Sequence, residues 1–336
     1  MSYPALNDGN PRPGHASMTS LSSELTMTLT SPDATASHGA ERCVGYMLPG
    51  PDSIAFAVGN IGSASDIQKR LLQVLNAGVR HLIIPVNFAS LSQISAALTA
   101  SSIPRSDLFL TFFFQAPATG DTEKALKEAL DQLRFARYAD LYLLRETRSK
   151  TANASRWVQM EKLKIKGQLV RSIGIFNFTL NQILALLPTA TIIPAVNQIL
   201  LSPYTTKRFE KTIKACKKLQ IAVTASLTDT VHLSLSYTYT PHGLDKVLER
   251  IAKQHSTTPT RILVAWLQSQ GLSPVITWKE KEKFSTSKTE TSFQIQRVDP
   301  TPVDIALIDI VGEGPEHLHD HGHGKGVAEA VGDAVS

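Results

Sequence analysis

Regular alternation of short β-rich runs with longer amphipathic segments predicts an α/β fold, a single-domain (β/α)8 TIM barrel. The β-rich runs number eight within about 240 residues, which matches the strand count and size of such a barrel. They are apolar along nearly their whole length, as expected of a parallel sheet covered by helices. An open doubly wound sheet is the alternative, although no G-x-G-x-x-G follows the first run, which argues against its dinucleotide-binding form.

The predicted elements follow one another in order along the chain. The strands are residues 53–59, 79–84, 108–114, 139–144, 170–175, 194–199, 221–226 and 273–277. Helices are predicted between them, for example at residues 66–78, 122–137, 156–167 and 206–220. In these segments apolar residues recur three and four positions apart, with charged residues on the opposite face. Several end in Gly or Asn before the next strand, as helix C-termini commonly do.

The barrel is expected to occupy residues 41–312, between two flexible tails. Residues 1–40 are rich in Ser, Thr, Pro, Gly and Asn and lack an apolar period. Residues 313–336 are rich in His and Gly, with histidines alternating from His317 to His323. A solvated tail is the preferred interpretation of these histidines. A transition-metal site is the alternative, because spacing without a packed surround does not fix coordination geometry. We therefore predict no metal site.

Composition narrows the classes of protein further. Of the 336 residues, 42% are hydrophobic and 19% charged, which excludes a disordered chain, a collagen and a coiled coil. No run approaches the roughly 20 apolar residues of a membrane span. The two cysteines, Cys43 and Cys216, provide no disulfide framework, and the N-terminus shows no secretory signal, so a cytoplasmic location is expected. The net charge of +5 is small and spread out, without the basic stripe and interleaved aromatics of a nucleic-acid binder.

Long motifs in the sequence resemble the aldo-keto reductases. They are GQLVRSIGIFNFTLNQILALL, IIPAVNQILLSPY, AGVRHLI, IPRSDLFLT, ADLYLL and RILVAWLQSQGLSPVIT. The resemblance runs from about residue 53 to about 312, and the amino-acid sequence of the motifs is similar to that of fungal members. It implies a single (β/α)8 barrel, usually cytosolic, that uses NADPH to reduce carbonyl compounds.

The resemblance also locates the positions of the family's catalytic residues, which are Asp, Tyr, Lys and His. In the family the Tyr donates a proton to the carbonyl oxygen, Lys paired with Asp lowers the Tyr pKa, and His orients the substrate. Here the Asp and Tyr positions in HLIIPVNF are Ile83 and Phe88. The Lys position in LFLTFFFQ is Phe113, and the His position after ADLYLL is Arg145. The resemblance therefore implies that all four are replaced and that only Arg145 remains to hydrogen-bond a carbonyl oxygen or hold an anion.

The resemblance implies NADP(H) as the cofactor. The positions that bind this cofactor in the family match only in part. Asn177 and Gln198 match the family residues that contact the nicotinamide amide, whereas Ser226 stands in place of the Tyr on which the nicotinamide stacks. The alternative role for Asn177 and Gln198 is to satisfy buried backbone groups at strand ends.

A cluster of lysines follows the eighth predicted strand, where the family binds the adenosine 2′-phosphate. The segment WKEKEKF contains Lys279, Lys281 and Lys283. Alternate lysines can form a point-charge phosphate site. The alternative is a solvated helix start, because Glu280 and Glu282 are interspersed with the lysines.

Two hypotheses about function remain open. In the first, the barrel is repurposed as a non-redox enzyme or a pseudoenzyme, perhaps of secondary metabolism, that binds an apolar small molecule beside Ile83, Phe88 and Phe113. In the second, it is an NADP(H)-dependent oxidoreductase of a small carbonyl or alcohol that uses another donor, such as Arg145, Tyr204 or water. Neither hypothesis involves a membrane or a nucleic acid, and the oligomeric state is left open.

Overall fold

The barrel predicted from the sequence is present. A computed structural model describes residues 41–42, 53–58, 64–114, 120–227, 242–277 and 298–313, all within one compact unit that spans residues 40–336. The predicted N-terminal extension, the His-rich tail beyond Glu313 and the lysines at 279, 281 and 283 lie outside the described residues. The proposed limits of the extension and tail therefore stay predictions.

Eight parallel strands close into a barrel, in chain order around the ring. They are β1 (Ala55–Ala57), β2 (His81–Pro85), β3 (Phe109–Phe114), β4 (Ala139–Arg145), β5 (Val170–Phe176), β6 (Val196–Leu200), β7 (Ala222–Ser226) and β8 (Ser273–Thr277). Every predicted strand is confirmed, with ends shifted by two residues at most. One feature was not predicted, a two-stranded parallel sheet formed by Glu41–Arg42 and Ile192–Ile193 outside the ring.

Helices alternate with the strands and pack on their outer faces. The described helices are α1 (Ala64–Asn76), α2 (Leu91–Ala100), α3 (Thr122–Leu133), α4 (Lys150–Lys166), α5 (Leu180–Leu186), α6 (Thr206–Lys218), α7 (His242–Gln254), α8 (Pro259–Ser269) and α9 (Pro302–Glu313). Helix α3 begins where the Asp121 side chain accepts hydrogen bonds from two backbone N–H groups, and α4 ends at Gly167 in the left-handed region. Within the described part of the chain, no helix is long and apolar enough to cross a membrane.

Alternation along each strand sends side chains to opposite faces, which separates the core into an outer and an inner part. Leu144 belongs to the large cluster between strands and helices, whereas its neighbour Leu143 belongs to an inner cluster with Leu141, Phe176 and Val196. The inner space is tightly filled near Gly174, where an added Cβ would lie 2.8 Å from both Leu143 Cδ2 and the Val196 carbonyl oxygen. The barrel is therefore a packed core with access to a ligand only at its ends.

Charged groups at the amino-terminal end of the strands form a structural network. Asp140, near the start of β4, is 4% exposed. Its carboxylate accepts hydrogen bonds from Arg105 at 2.6 Å, from Arg171 at 3.3 Å and from the Leu110 backbone N–H at 2.8 Å. The two guanidinium groups also lie over the ring of Tyr138, at 4.2 and 3.9 Å from its centroid. Because this end of a barrel contributes to stability rather than chemistry, the network holds the fold together.

Candidate functional site

The candidate site lies at the carboxyl ends of the strands, where parallel barrels bind their ligands. The described part of this mouth is formed mainly by the ends of β2, β3, β4, β5 and β6. The loops that follow β1, β3, β7 and β8 cover residues 59–63, 115–119, 228–241 and 278–297, outside the described residues. The loop after β4 is short, because α4 begins at Lys150, six residues before the start predicted from the sequence.

Two of the residues singled out from the sequence meet inside the barrel. Ile83 is 1% exposed and forms an inner cluster with Ala55 and Val275, and Phe113 packs against this cluster. Register pairs Ile83 with Thr111 and Pro85 with Phe113, so the β2 and β3 side chains face the same interior. Both Ile83 and Phe113 have hydrocarbon side chains, which neither gain nor lose a proton.

Phe88 does not join them. It lies in the turn after β2, is 8% exposed, and belongs to the large outer cluster together with Val86 and Leu91. The chain has left the strand at Pro85, so strand alternation no longer fixes the direction of the Phe88 side chain. A contribution of Phe88 to the apolar pocket therefore stays a prediction.

Arg145 provides a cation at the mouth. It is the last residue of β4, it is partly buried, and alternation places it on the same inner side as Leu143. Its guanidinium carbon lies 5.5 Å from the centroid of the Phe176 ring, within the range of a cation–π contact. The Phe176 ring in turn meets Phe113 edge to face, with centroids 5.5 Å apart. The Arg145 guanidinium therefore packs on an aromatic surface formed by Phe176 and Phe113.

Asn177 follows β5 in the left-handed backbone region, with φ of 62°. Its backbone N–H donates to the Gln198 carbonyl oxygen at 2.6 Å, and its side-chain oxygen accepts from the Leu200 N–H at 3.3 Å. Asn adopts this conformation more readily than most residues. The oxygen of the Asn177 amide thus accepts a hydrogen bond from the backbone. This is the alternative role considered for Asn177 from the sequence, which is to satisfy buried backbone groups at a strand end.

Asn197 completes this turn and was not identified from the sequence. The residue is fully buried, and its side-chain oxygen accepts from the Phe178 N–H at 3.3 Å. Its amide nitrogen donates to the Phe178 carbonyl oxygen at 2.9 Å and to the Cys216 sulfur at 3.8 Å. Burial raises the pKa of Cys216 to about 11, an effect that the hydrogen bond from Asn197 partly offsets. The amide therefore fixes the backbone next to Asn177 from the outer side of the barrel.

We expect Asn197→Ala to lower the free energy of unfolding by about 2 kcal/mol, because it leaves the buried Phe178 N–H and C=O without their partner. Urea denaturation followed by circular dichroism measures the change. Asn181→Ala on the exposed face of α5 is the matched control and is expected to cost less than about 0.5 kcal/mol. Equal losses in the two variants would contradict the role given to Asn197.

Gln198 places a polar group inside the barrel, just below the mouth. Its neighbours Asn197 and Ile199 face the helices, so alternation turns Gln198 inward, and it is 2% exposed. Within the part of the chain that the structure describes, its side-chain amide forms no hydrogen bond. The buried hydroxyl of Thr224, its register partner on β7, likewise finds no partner among the described residues. Buried amides normally have partners, so this group is suited to contact a ligand.

The remaining polar candidates lie at separate places in the described part of the barrel. Ser226 is buried at the end of β7. His81 pairs with the Thr111 hydroxyl at 2.8 Å, and burial lowers its pKa to about 3. Tyr142 faces the helices and donates to the Thr122 carbonyl oxygen, and burial raises its pKa. Tyr204 packs against the outer cluster.

Within the described residues, no three His, Cys, Asp or Glu side chains lie close enough together to hold a metal ion.

Comparison with known proteins decides the family. Residues 62–298 match the model of the aldo/keto reductase family. The chain belongs to this family. An aldo-keto reductase of Mycolicibacterium smegmatis is 26% identical over 247 residues, which cover 71% of this chain and 84% of the relative. An NAD/NADP-dependent indole-3-acetaldehyde reductase of Schizosaccharomyces pombe is 28% identical over 229 residues, covering 67% and 78%. The methylglyoxal reductase DkgB of Escherichia coli O157:H7 is 26% identical over 252 residues, covering 73% and 90%.

Solved aldo/keto reductase structures share the barrel. The enzyme MGS-M4 from a deep-sea metagenome library of the Medee basin superposes with a TM-score of 0.66 at 22% identity, covering 80% of this chain and 93% of that one. An aldo/keto reductase of Brucella melitensis gives a TM-score of 0.63 at 25% identity, covering 77% and 94%. The closed ring of eight parallel strands is therefore the family's fold.

Proposed function

We propose that this member of the aldo/keto reductase family binds an apolar small molecule at the mouth of its barrel and does not reduce carbonyl compounds with the family's proton donor. The observation that carries the proposal is the packing of Phe113 against the cluster formed by Ile83, Ala55 and Val275. The family resemblance assigns the Lys and Asp positions to Phe113 and Ile83. Hydrocarbon contact at those positions supports a binding pocket in place of an acid–base pair.

The missing acid has a large expected effect on rate. A positioned general acid contributes roughly a hundred- to ten-thousandfold, which corresponds to about 3–5 kcal/mol of barrier. Phe88, at the position of the family's Tyr, has no proton to donate and packs in the outer cluster. Arg145 holds its protons too tightly to act as a general acid near neutral pH.

The apolar site is tested with the neutral fluorescent probe N-phenyl-1-naphthylamine. Leu200 packs on the inner cluster at the end of β6, and we expect Leu200→Gln to weaken probe binding about tenfold through the loss of apolar contact. Ile165, which is 70% exposed on α4, provides the matched control Ile165→Gln, and its affinity is expected to equal that of the unmodified protein. Absence of probe binding, or equal weakening in both variants, would overturn the proposal.

A second candidate function is an NAD(P)H-dependent reductase, and the inward amide of Gln198 favours it. An amide without a described partner fits the carboxamide of a nicotinamide, although Ser226 offers no aromatic face on which the ring would stack. Bound there, the cofactor would supply hydride. Two relatives are named as reductases of indole-3-acetaldehyde and of methylglyoxal. This candidate requires NADPH binding that Gln198→Leu weakens, measured by cofactor fluorescence, whereas the first candidate does not.

A further inference from the structure

We propose that the outer face of helix α6 is a docking surface for the acidic segment of this same chain that follows α9, residues 314–336. The surface is a line of four lysines, here called the lysine row: Lys207, Lys211, Lys214 and Lys218. Docking gives a partner to a segment that the sequence predicts to be a solvated tail. The proposal goes beyond the function proposed for the mouth and does not depend on it, because α6 lies outside the ring of strands.

The lysine row follows from the helical period. Its members are four, three and four residues apart, so at 100° per residue they share one side of α6. The buried residues of this helix, Phe209, Thr212 and Cys216, occupy the opposite side. All four lysines are exposed. At 1.5 Å per residue the row is about 16 Å long, which is enough for several anionic groups to bind side by side.

Positive charge is concentrated around the lysine row. Helix α6 contains six Lys and Arg residues and one acid, Glu210. Residues 150–220, all of them described, contain twelve Lys and Arg against two acids, although the whole chain has a net charge of only +5. The remainder of the chain is therefore acidic on balance, and the charges of the protein are unevenly distributed.

A single carboxylate on α6 shows how strongly the lysines act together. Glu210 pairs with Lys214. The hydrogen bond and charge of Lys214 lower the pKa of Glu210, and the charges of Lys207 and Lys211 lower it further. Like charges four residues apart, as in Lys207–Lys211 and Lys214–Lys218, destabilise a helix. Further carboxylates along the row would relieve this repulsion.

The end of α9 brings the chain to the start of α6. Gly312 of α9 is buried against Pro203, so closely that an added Cβ would lie 2.6 Å from the Pro203 Cβ and 2.7 Å from its carbonyl carbon. Pro203 opens the turn Pro203–Thr205, and α6 begins at the next residue. Residue 314 therefore follows from a point close to the first turn of α6, next to Lys207.

The charge and length of residues 314–336 fit the lysine row. The segment contains the acids Glu316, Asp320, Glu329 and Asp333 and one base, Lys325. At roughly 3.3 Å per extended residue, Glu316 and Asp320 reach about 10 and 23 Å beyond the end of α9, which covers the length of the row. Covalent attachment keeps the local concentration of these acids high, so that several individually weak ion pairs suffice. Docked in this way, the segment follows the outer side of the barrel and leaves the mouth.

Other anionic partners fit this surface less well. Every exposed residue of α6 is Lys, Arg or Glu. Nucleic-acid surfaces usually combine cations with aromatic side chains on which bases stack. Helices that bind a membrane surface usually insert apolar side chains between the lipids. Carboxylates of a polypeptide require only the cations, which are what α6 presents.

Carbodiimide cross-linking of the full chain tests the proposal, because it joins a lysine to a carboxylate only when the two groups are in contact. The sample is an equal mixture of unlabelled and heavy-isotope-labelled chains at low salt and near neutral pH, and mass spectrometry identifies the linked peptides. We expect Glu316 and Asp320 to link to the lysine row about tenfold more often than to the exposed α3 lysines Lys124 and Lys127. These links are expected within single chains and to decrease in 1 M salt.

A charge reversal within the row tests whether the lysines act as a unit. In Lys211→Glu we expect the links from Asp320 to Lys214 and Lys218, both of which remain in place, to fall about threefold, as for the loss of an exposed ion pair. Lys162→Glu is the matched control, because it makes the same charge change at an exposed position of α4. This control is expected to leave the links unchanged.

Each contrary result overturns the proposal. If residues 314–336 form no links to α6, or link to α3 as often, the segment does not dock on the lysine row. Links mainly between labelled and unlabelled chains would identify a second copy of the protein as the occupant. Equal losses in Lys162→Glu and Lys211→Glu would show that overall charge, and not the row, attracts the segment.

Discussion

Replacement of Asp140 by alanine is expected to lower the free energy of unfolding by about 3 kcal/mol. Asp140 is 4% exposed, and its carboxylate accepts three hydrogen bonds, two of them from Arg105 and Arg171. Without it, two guanidinium groups stacked on Tyr138 repel each other and the Leu110 N–H loses its acceptor. Breaking a buried ion pair generally costs 3–5 kcal/mol, and the partial exposure of both arginines places the loss at the lower end.

Equilibrium denaturation in guanidinium chloride measures this loss, and the surface pair Lys166–Glu123 provides its control. Both side chains of that pair are largely exposed, so Glu123→Gln is expected to cost no more than about 0.5 kcal/mol. A loss below about 1 kcal/mol for Asp140→Ala would contradict the structural role given to the network.

Gly174→Ala is expected to destabilise the protein by about 2–3 kcal/mol, the upper range for adding volume to a packed core. The added Cβ would lie 2.8 Å from the Val196 carbonyl oxygen and 2.8 Å from Leu143 Cδ2. The first of these contacts is with backbone, so relief requires β5 and β6 to separate. Thermal unfolding monitored by circular dichroism reports the change as a lower midpoint temperature.

Gly120→Ala is the matched control for Gly174→Ala. Its added Cβ meets the ring of Phe114, with Cζ at 2.7 Å and no backbone atom among the three nearest. Because a side chain can turn aside, the cost at Gly120 is expected to stay near 1 kcal/mol. A larger loss at Gly120 than at Gly174 would show that the barrel interior is less tightly packed than the distances indicate.

The fold was predictable because its strands are continuous apolar runs separated by amphipathic helices. All eight strands match, since burial on both faces leaves only a few polar residues within each apolar run. The pair Glu41–Arg42 and Ile192–Ile193 was missed because two residues show no measurable period. The sequence predicts that α4 starts at Arg156 instead of Lys150, because the small polar residues of TANAS resemble a loop. Their helical conformation depends on the Ser149 cap, which accepts a hydrogen bond from the Ala152 N–H.

The direction of the candidate side chains was predictable only where strand alternation fixes it. Ile83, Phe113, Arg145 and Gln198 all face the interior, as their positions in β2, β3, β4 and β6 require. Phe88 lies beyond the end of β2, where the turn and not the strand sets its direction, and it joins the outer cluster. Asn197 was overlooked because an amide facing away from the mouth has no chemical signature in sequence. A possible signal was the adjacent Asn177, whose left-handed backbone needs external support.

We propose that the mouth of the barrel contains an apolar surface and the Arg145 guanidinium in place of a general acid. The most direct test follows the absorbance of NADPH at saturating cofactor with a panel of aldehydes and ketones, including an aromatic aldehyde and methylglyoxal. We expect no oxidation of NADPH above that in protein-free buffer. Turnover that depends on the protein and falls in both Arg145→Ala and Gln198→Leu would contradict it, and would establish this barrel as a working reductase.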